Sequence, residues 1–160
     1  MKRRAALAAA VLACACALQG CAQYYYGDRA AVAPVDLVAS NHGAADALLE
    51  QVALRLKACV RATDTVARLG GDEFVVLLEN EGDSVEAATL QAGRIGLKIL
   101  QSLREPYDIG PCRHQCSISV GAVVLDDPSL SPHDYLRRAD LAMYQAKSAG
   151  RNTLRFYAEG

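Results

Sequence analysis

The spacing of apolar residues predicts two amphipathic helices in the first two thirds of the chain. Leucine, valine and alanine recur every three or four residues over Asp46–Val60, which places them on one face of a helix. A second stripe of the same kind follows Asp83 and continues to Leu103, before Pro106 interrupts it. Asp83 and Glu86, three residues apart, are predicted to cap the start of this helix.

A third helix is indicated by the residues at its two ends. Ser131 precedes Pro132, whose fixed φ suits the first helical position, and Asp134 stands three residues after the serine. The apolar stripe continues to Ala146, and Gly150 is placed to end the helix.

Runs of β-branched and other apolar residues predict the strands. Thr65–Leu69 and Phe74–Leu78 flank a Gly-Gly pair and predict a hairpin. His114–Leu125 predicts a longer, largely buried strand, and Thr153–Tyr157 predicts a short final one. Paired strands that alternate with helices favour an α/β (α+β) fold, with helices packed on a mostly antiparallel sheet.

The first twenty-one residues have the composition of a bacterial secretory leader. Three basic residues, Lys2–Arg4, precede the apolar run Ala5–Leu18. The following residues resemble a lipobox, so Cys21 is a candidate for lipidation and for anchorage to a membrane. The alternative is an alanine-rich stretch produced by a wrongly assigned start codon. The protein is predicted to be membrane-associated in the first case and cytoplasmic in the second.

The rest of the sequence is long enough for one folded domain. We divide the chain into a leader of residues 1–21, a linker of residues 22–40 and a domain of residues 41–158. Within the linker, Val32–Val38 is a candidate strand that Pro34 weakens. Apolar residues make up 52% of the sequence, which supports a core, and the net charge of −1 argues against a nucleic-acid-binding surface.

The predicted hairpin turn carries the clearest candidate chemistry. Gly70 and Gly71 can adopt positive φ without steric cost, so the turn is expected to present Asp72 and Glu73 at an exposed tip. Adjacent carboxylates suit Mg²⁺ and the phosphates that accompany it. A polar tip that only contacts water is the alternative for an isolated occurrence of these four residues.

A weaker candidate lies at the start of the longest predicted strand. Cys112, His114 and Cys116 alternate along the sequence and would share one face of a strand, as zinc ligands can. Since the sequence offers no obvious fourth ligand, we interpret them as ordinary strand residues.

Three motifs, in this order, resemble those of the GGDEF family. Arg61-x-x-Asp64 comes first, Gly70–Phe74 follows after five intervening residues, and a closing pattern runs from Ala139 to Asn152. Members of this family are typically diguanylate cyclases, which join two GTP molecules into cyclic di-GMP. The resemblance implies a nucleotidyl-cyclase-like sheet with the hairpin of the name motif exposed.

The resemblance also implies roles for individual residues near the hairpin and the third helix. Asp72 is expected to bind Mg²⁺ or Mn²⁺, and Glu73 to lie beside the metal and the attacking hydroxyl. The glycines before them form the turn. Lys147 and Arg151 are expected to bind the terminal phosphates of GTP from one helix face, provided that the helix persists to Arg151.

A second site and a partner are implied in the same way. Arg61 and Asp64 are expected to bind the product cyclic di-GMP, since the planar guanidinium of arginine binds phosphate and guanine through paired hydrogen bonds. Each domain of this family holds one GTP, so catalysis is expected to need a homodimer.

The N-terminal part departs from the family pattern. Asp36 is the candidate for the metal-binding aspartate of the first strand, and Asp46 matches the aspartate that recognises guanine. The remaining residues of the first-strand motif have no counterpart, since a leader and a linker stand at this place in the sequence. We therefore expect the sheet to lack its central strand. Three hypotheses follow: a cyclase, an inactive module that binds cyclic di-GMP, and a lipid-anchored envelope protein with a relic domain.

Overall fold

The computed structural model describes residues 9–17, 42–79 and 84–158. Within these ranges the chain forms three helices, α1 (His42–Cys59), α2 (Val85–Arg104) and α3 (Pro132–Ser148). The same ranges contain seven strands: β1 (Ala9–Ala17), β2 (Thr65–Gly70), β3 (Glu73–Glu79), β4 (Tyr107–Ile109), β5 (Cys112–His114), β6 (Ser117–Leu125) and β7 (Thr153–Phe156).

Five of these strands form one sheet, in the order β2-β3-β1-β6-β7. Neighbouring strands are antiparallel except β6 and β7, which are parallel. The strands β4 and β5 form a separate antiparallel pair. The predicted α/β architecture with a mostly antiparallel sheet is therefore confirmed.

The centre of the sheet is occupied by Ala9–Ala17, from the segment interpreted as a leader. This strand pairs with β3 on one side and with β6 on the other, and Ala15 is opposite both Glu73 and Ser119. The expectation that the sheet lacks its central strand is therefore wrong. A short run of small and apolar residues without charge suits a central strand as well as a leader, and composition alone does not separate the two.

Several predicted features lie outside the described residues. They are Asp36, Cys21 and the candidate strand Val32–Val38. Among the helices in the described ranges, none combines the length and the hydropathy needed to cross a bilayer.

Helices cover both faces of the sheet. Because side chains alternate along a strand, Phe74, Val76 and Leu78 of β3 join the main core with α1 and α2. Val75 and Leu77 point the other way and pack with α3, whose buried residues include Tyr135. The hairpin strand β3 is therefore held from both sides, and this fixes its position relative to α3.

The helix ends largely follow the sequence signals. In α3, the Ser131 hydroxyl accepts a hydrogen bond from the Asp134 N–H at 3.2 Å, and the Asp134 carboxylate accepts one from the Ser131 N–H at 3.1 Å. This confirms the predicted cap. The helix α2 begins one residue later than predicted, because Ser84 rather than Asp83 provides the N-cap. The helix α1 begins at His42, before the predicted Asp46.

The predicted strand His114–Leu125 is divided in the structure. Its first residue belongs to β5, which pairs with β4, and the sheet strand begins only at Ser117. Cys112 and His114 belong to β5, whereas Cys116 lies between β5 and β6, so the three residues do not share one strand. Cys116 is buried and Cys112 is exposed. Pairing of β5 with β4 divides the predicted strand in two. The β-propensity of the residues does not show which partner each part will pair with.

Candidate active site at the hairpin end of the sheet

The hairpin between β2 and β3 forms as predicted. Gly71 has a φ of 51°, in the left-handed region that favours glycine, while Gly70 is close to extended with a φ of 159°. The pairing of the two strands is irregular between Arg68 and Gly70, where the register shifts. Asp72 and Glu73 follow directly, and both side chains are half-buried.

The strand register places the hairpin tip and the chain reversal after α3 at the same end of the sheet. Glu73 is opposite Ala15, Ala15 is opposite Ser119, and Ser119 is opposite Thr153. These four positions form one row across the sheet, about 14 Å long at the usual strand spacing. The residues before Thr153 are therefore at the edge where the carboxylates lie.

The two carboxylates share an environment that disfavours their charge. Burial raises the pKa of Asp72, against the lowering effects of its own backbone N–H, Lys147 and Arg68. Burial is also the main cause that raises the pKa of Glu73; Lys147 lowers it, while the negative charges of Asp140 and Asp72 raise it. A cation at the tip would relieve both penalties.

Lys147 therefore lies within electrostatic reach of both carboxylates. It is in the last turn of α3, a half-buried position where the helix dipole favours a positive charge. The structure thus places the hairpin acids and this lysine at the same end of the sheet.

Arg151 does not lie on the same helix as Lys147. The helix ends at Ser148, and Gly150 follows with a φ of 102°, so the condition under which Lys147 and Arg151 would share one helix face is not met. Arg151 itself has a φ of 61°, which is uncommon for a residue with a long side chain. The tight reversal explains the early end of the helix, because it turns the chain into β7.

Asn152 fixes this reversal against the sheet. It also has a positive φ, of 49°, and its side-chain oxygen accepts a hydrogen bond from the Ile118 N–H at 3.1 Å. Asparagine tolerates this conformation better than most residues. The exposed Arg151 is thereby held next to the end of the sheet that carries the carboxylates.

A groove of about 420 Å³ separates α1 from the hairpin. Its floor is apolar and includes Leu49, Val66 and the buried Phe74. Asp46 lines it from the first half of α1, and Arg68 lines it from β2. The structure therefore places the predicted guanine-recognising aspartate in a groove that runs along the motif hairpin.

Arg61 and Asp64 lie at the opposite end of β2 from the tip. The Asp64 carboxylate accepts hydrogen bonds from the Arg61 N–H at 2.8 Å and from the Glu79 N–H at 3.1 Å. Within the described part of the chain, the exposed Arg61 guanidinium has no hydrogen-bond partner. The strand between Thr65 and Gly70 places this corner roughly 17 Å from the tip.

The hairpin acids fit a divalent cation chemically, but they do not form a complete metal site alone. Hard carboxylate oxygens that are partly removed from water are suitable ligands for such ions. In residues 9–17, 42–79 and 84–158, no group of three or more histidine, cysteine, aspartate or glutamate side chains could hold a metal ion. The other ligands of a cation bound by Asp72 would come from nucleotide phosphates, water or the rest of the chain.

Two residues of the site were missed at the level of sequence. Arg68 lines the groove and its Nε donates a hydrogen bond of 2.9 Å to the Gly71 carbonyl oxygen. Asp140 acts on Glu73 from α3, seven residues before Lys147. That spacing corresponds to two helical turns and places Asp140 and Lys147 on one face of α3. The same spacing in the sequence could have identified Asp140 as a residue of the site.

Known proteins resemble this chain in sequence. The family model described as the GGDEF domain of diguanylate cyclases matches residues 41–153. The chain is 40% identical over 119 residues to the bifunctional diguanylate cyclase/cyclic di-GMP phosphodiesterase MucR of Pseudomonas aeruginosa, covering 74% of this chain and 16% of MucR. It is 40% identical over 112 residues to diguanylate cyclase A of Treponema denticola, covering 70% of this chain and 29% of that protein.

A solved structure shows the same fold. The EAL/GGDEF domain protein from M. capsulatus superposes with a TM-score of 0.72 at 30% identity, covering 95% of this chain and 86% of that one. The chain spans less than a third of the length of the two curated relatives. The family model nevertheless covers well over half of the chain, including the hairpin, α3 and the reversal after it, and the chain therefore belongs to the GGDEF domain family.

Proposed function

We propose that this domain is a diguanylate cyclase, which condenses two GTP molecules into cyclic di-GMP with Mg²⁺. The observation that carries the proposal is that Lys147 lies within electrostatic reach of the Asp72 and Glu73 carboxylates at one end of the sheet. Family membership supports the reaction class, since relatives that share the domain are named diguanylate cyclases. Divalent metals are in general use among such enzymes, and Mg²⁺ is the ion we assign.

The reaction has two equivalent steps, and in each the 3′ oxygen of one GTP unit is joined to the α-phosphorus of the other, so that the second step closes the ring. The new P–O bond forms as the bond to the β-phosphate oxygen breaks, so pyrophosphate leaves, and the hydroxyl proton passes to a base. We assign this last task to Glu73, because its carboxylate can accept a proton and it follows Asp72 directly at the tip of the hairpin. A metal ion held by Asp72, together with Asp36, would neutralise charge that develops on the phosphates.

Substrate binding is assigned to the residues around the carboxylates. Asp46 in the groove would accept hydrogen bonds from the N–H groups of guanine, which adenine does not present in the same pattern. Lys147 and Arg151 would bind the terminal phosphates, Lys147 from the end of α3 and Arg151 from the reversal. Because each domain holds one GTP, the working unit is a homodimer.

The test is turnover of GTP by the full chain. With GTP and Mg²⁺, we expect cyclic di-GMP to be detected by mass spectrometry, and the variants Asp72→Asn and Lys147→Met to reduce the rate at least 100-fold. Arg94→Met, a change on the exposed side of α2, is the control and should leave the rate unchanged. If the folded protein binds GTP but yields no cyclic di-GMP under any divalent metal, the cyclase proposal fails.

A second candidate is a module that binds cyclic di-GMP without making it. The corner formed by Arg61 and Asp64 favours it, because two backbone N–H groups hold the aspartate while the guanidinium stays exposed. Binding of a fluorescent cyclic di-GMP that is lost in Arg61→Ala, in a protein with no turnover, would support this role. If the same binding accompanies turnover, the corner acts as a feedback site instead.

A third candidate is a lipid-anchored envelope protein. It requires cleavage before Cys21 and acylation of that residue, whereas the cyclase proposal is for a cytoplasmic protein that keeps Ala9–Ala17 and has access to GTP. The intact mass of the protein from its native source discriminates the two. A mass for residues 21–160 plus acyl chains supports the envelope protein, and a mass that includes residues 9–17 supports the cyclase.

A further inference from the structure

Arg68 connects the substrate groove to the turn that carries Asp72. It lies where the pairing of β2 with β3 becomes irregular, two residues before Gly70. Its Nε donates a hydrogen bond of 2.9 Å to the carbonyl oxygen of Gly71, while its side chain lines the groove that also contains Asp46. The arginine is exposed at the surface, so this contact is not a requirement of core packing.

The hydrogen bond acts on the peptide unit that joins Gly71 to Asp72. Arg68 holds the carbonyl of this unit, and the N–H of the same unit belongs to Asp72, the residue that carries the carboxylate. Because a peptide unit is planar, fixing its carbonyl also fixes the direction of its N–H. Glycine by itself allows a wide range of rotations, so an external contact is what selects one of them.

We infer that Arg68 is a positioning residue, which orients the Asp72 carboxylate by holding the carbonyl of Gly71. The inference deepens the proposed function and rests on it for the turnover measurement. A different role, direct binding of nucleotide phosphates, would use the two terminal nitrogens of the guanidinium. Among the described residues these nitrogens have no hydrogen-bond partner, so the two roles use different atoms and can be separated.

Two substitutions at Arg68 distinguish the positioning role from direct binding of phosphates. Glutamine places its side-chain nitrogen the same number of bonds from Cα as the Nε of arginine, so Arg68→Gln keeps a donor for the Gly71 carbonyl but removes the charge and the terminal nitrogens. Arg68→Met has a similar length and removes every donor. Arg94→Met on α2 is the matched control for loss of an exposed arginine.

The two variants should differ in kcat. We expect Arg68→Met to lower kcat about 10- to 100-fold, since a misplaced catalytic group costs rate more than binding. Arg68→Gln should stay within about threefold of the wild type, and KM for GTP should change less than about threefold in both. The midpoint of thermal unfolding should be unaffected. An equal loss of kcat in Arg68→Met and Arg68→Gln would show that Arg68 acts through its charge or through a phosphate contact. An unchanged kcat in Arg68→Met would show that Arg68 has no role in turnover. Either result overturns the inference.

A second readout does not depend on catalysis. By NMR hydrogen exchange on the full chain, the Asp72 amide should exchange about tenfold faster in Arg68→Met than in the wild type, and at the wild-type rate in Arg68→Gln. Unchanged exchange in Arg68→Met overturns the inference. If the wild type makes no cyclic di-GMP, the proposed function fails, and the exchange rates still decide whether Arg68 orders the turn.

Discussion

Gly121 on β6 lies directly against the backbone of Ala139 on α3. A Cβ atom at Gly121 would overlap the carbonyl oxygen of Ala139 and the backbone nitrogen of Met143. The absence of a side chain lets α3 approach the sheet closely. Since Lys147 lies about two turns further along the same helix, this contact helps to set the position of the lysine relative to the hairpin carboxylates.

Replacing this glycine should therefore unfold or displace α3. We expect Gly121→Ala to lower the free energy of unfolding by about 3 kcal/mol, because the atoms it meets are backbone and cannot rotate away. Urea unfolding followed by circular dichroism measures the change. Gly43→Ala in α1 is the control, since among the described residues no atom beyond the helix's own neighbouring backbone lies within 4 Å of the added carbon, and stability should be unchanged or slightly higher. Equal stability of Gly121→Ala and the wild type would refute the close contact.

Arg55 joins α1 to the chain segment that ends α2. Its Nη1 donates hydrogen bonds to the carbonyl oxygens of Ser102 and Glu105 at 3.0 and 2.6 Å, and its Nη2 donates one to Pro106 at 2.7 Å. The guanidinium carbon lies 3.9 Å from the centroid of the Tyr107 ring. One cation therefore satisfies three carbonyls where the helix has stopped.

Loss of this cation should cost stability without touching the active site. We expect Arg55→Met to lower the free energy of unfolding by about 2–4 kcal/mol, because the carbonyls lose charged donors and the ring loses its cation. The free energy of unfolding of Arg55→Lys should lie between those of the wild type and Arg55→Met. Urea unfolding provides the measurement, with Arg94→Met as the control. A midpoint within error of the wild type for Arg55→Met would contradict the assigned contacts.

The raised pKa values at the hairpin tip predict a pH-dependent cost. Between the ordinary value of 3.8 and its raised folded-state pKa, Asp72 holds more protons in the folded protein than in the unfolded chain, so stability falls as pH rises through this window. Glu73 has the same effect on stability between its ordinary pKa of 4.5 and its raised folded-state pKa. Above the folded-state pKa values, the full penalty is present.

Removing one charge should relieve part of this penalty. In EDTA at pH 7, Asp72→Asn should be more stable than the wild type by a few tenths of a kcal/mol, a small effect because the group is partly exposed. The difference should vanish as the pH falls well below the ordinary value of 3.8, where the carboxyl is protonated in both states. Denaturant titrations at several pH values test it. A wild type that is more stable than Asp72→Asn at pH 7 would show that the charge is favoured there.

The central position of Ala9–Ala17 predicts that the domain depends on its first twenty residues. Deleting residues 1–20 removes the strand between β3 and β6, so two strand edges inside the sheet lose their partners. We expect an insoluble protein, or one without a cooperative unfolding transition. The variant Cys21→Ser in the full chain keeps the strand and is the control. A soluble deletion variant that unfolds cooperatively would exclude the central position of this strand.

Local signals in the sequence were sufficient for several elements. The hairpin follows from glycine between two β-prone runs, and the cap of α3 from the spacing of Ser131 and Asp134. Both depend on contacts within a few residues. The predicted N-cap of α2 was wrong by one residue. Two neighbouring polar residues can each act as an N-cap, and only the backbone geometry selects Ser84.

What the sequence by itself determined is the family, the hairpin with its two carboxylates and the helix that carries Lys147, because each is encoded in a continuous stretch. The tertiary structure decided which strand fills the centre of the sheet, where Arg151 lies, and that Arg68 and Asp46 share a groove. These relationships join residues far apart in the chain. They depend on pairing and packing between elements, which local propensity and periodicity do not encode.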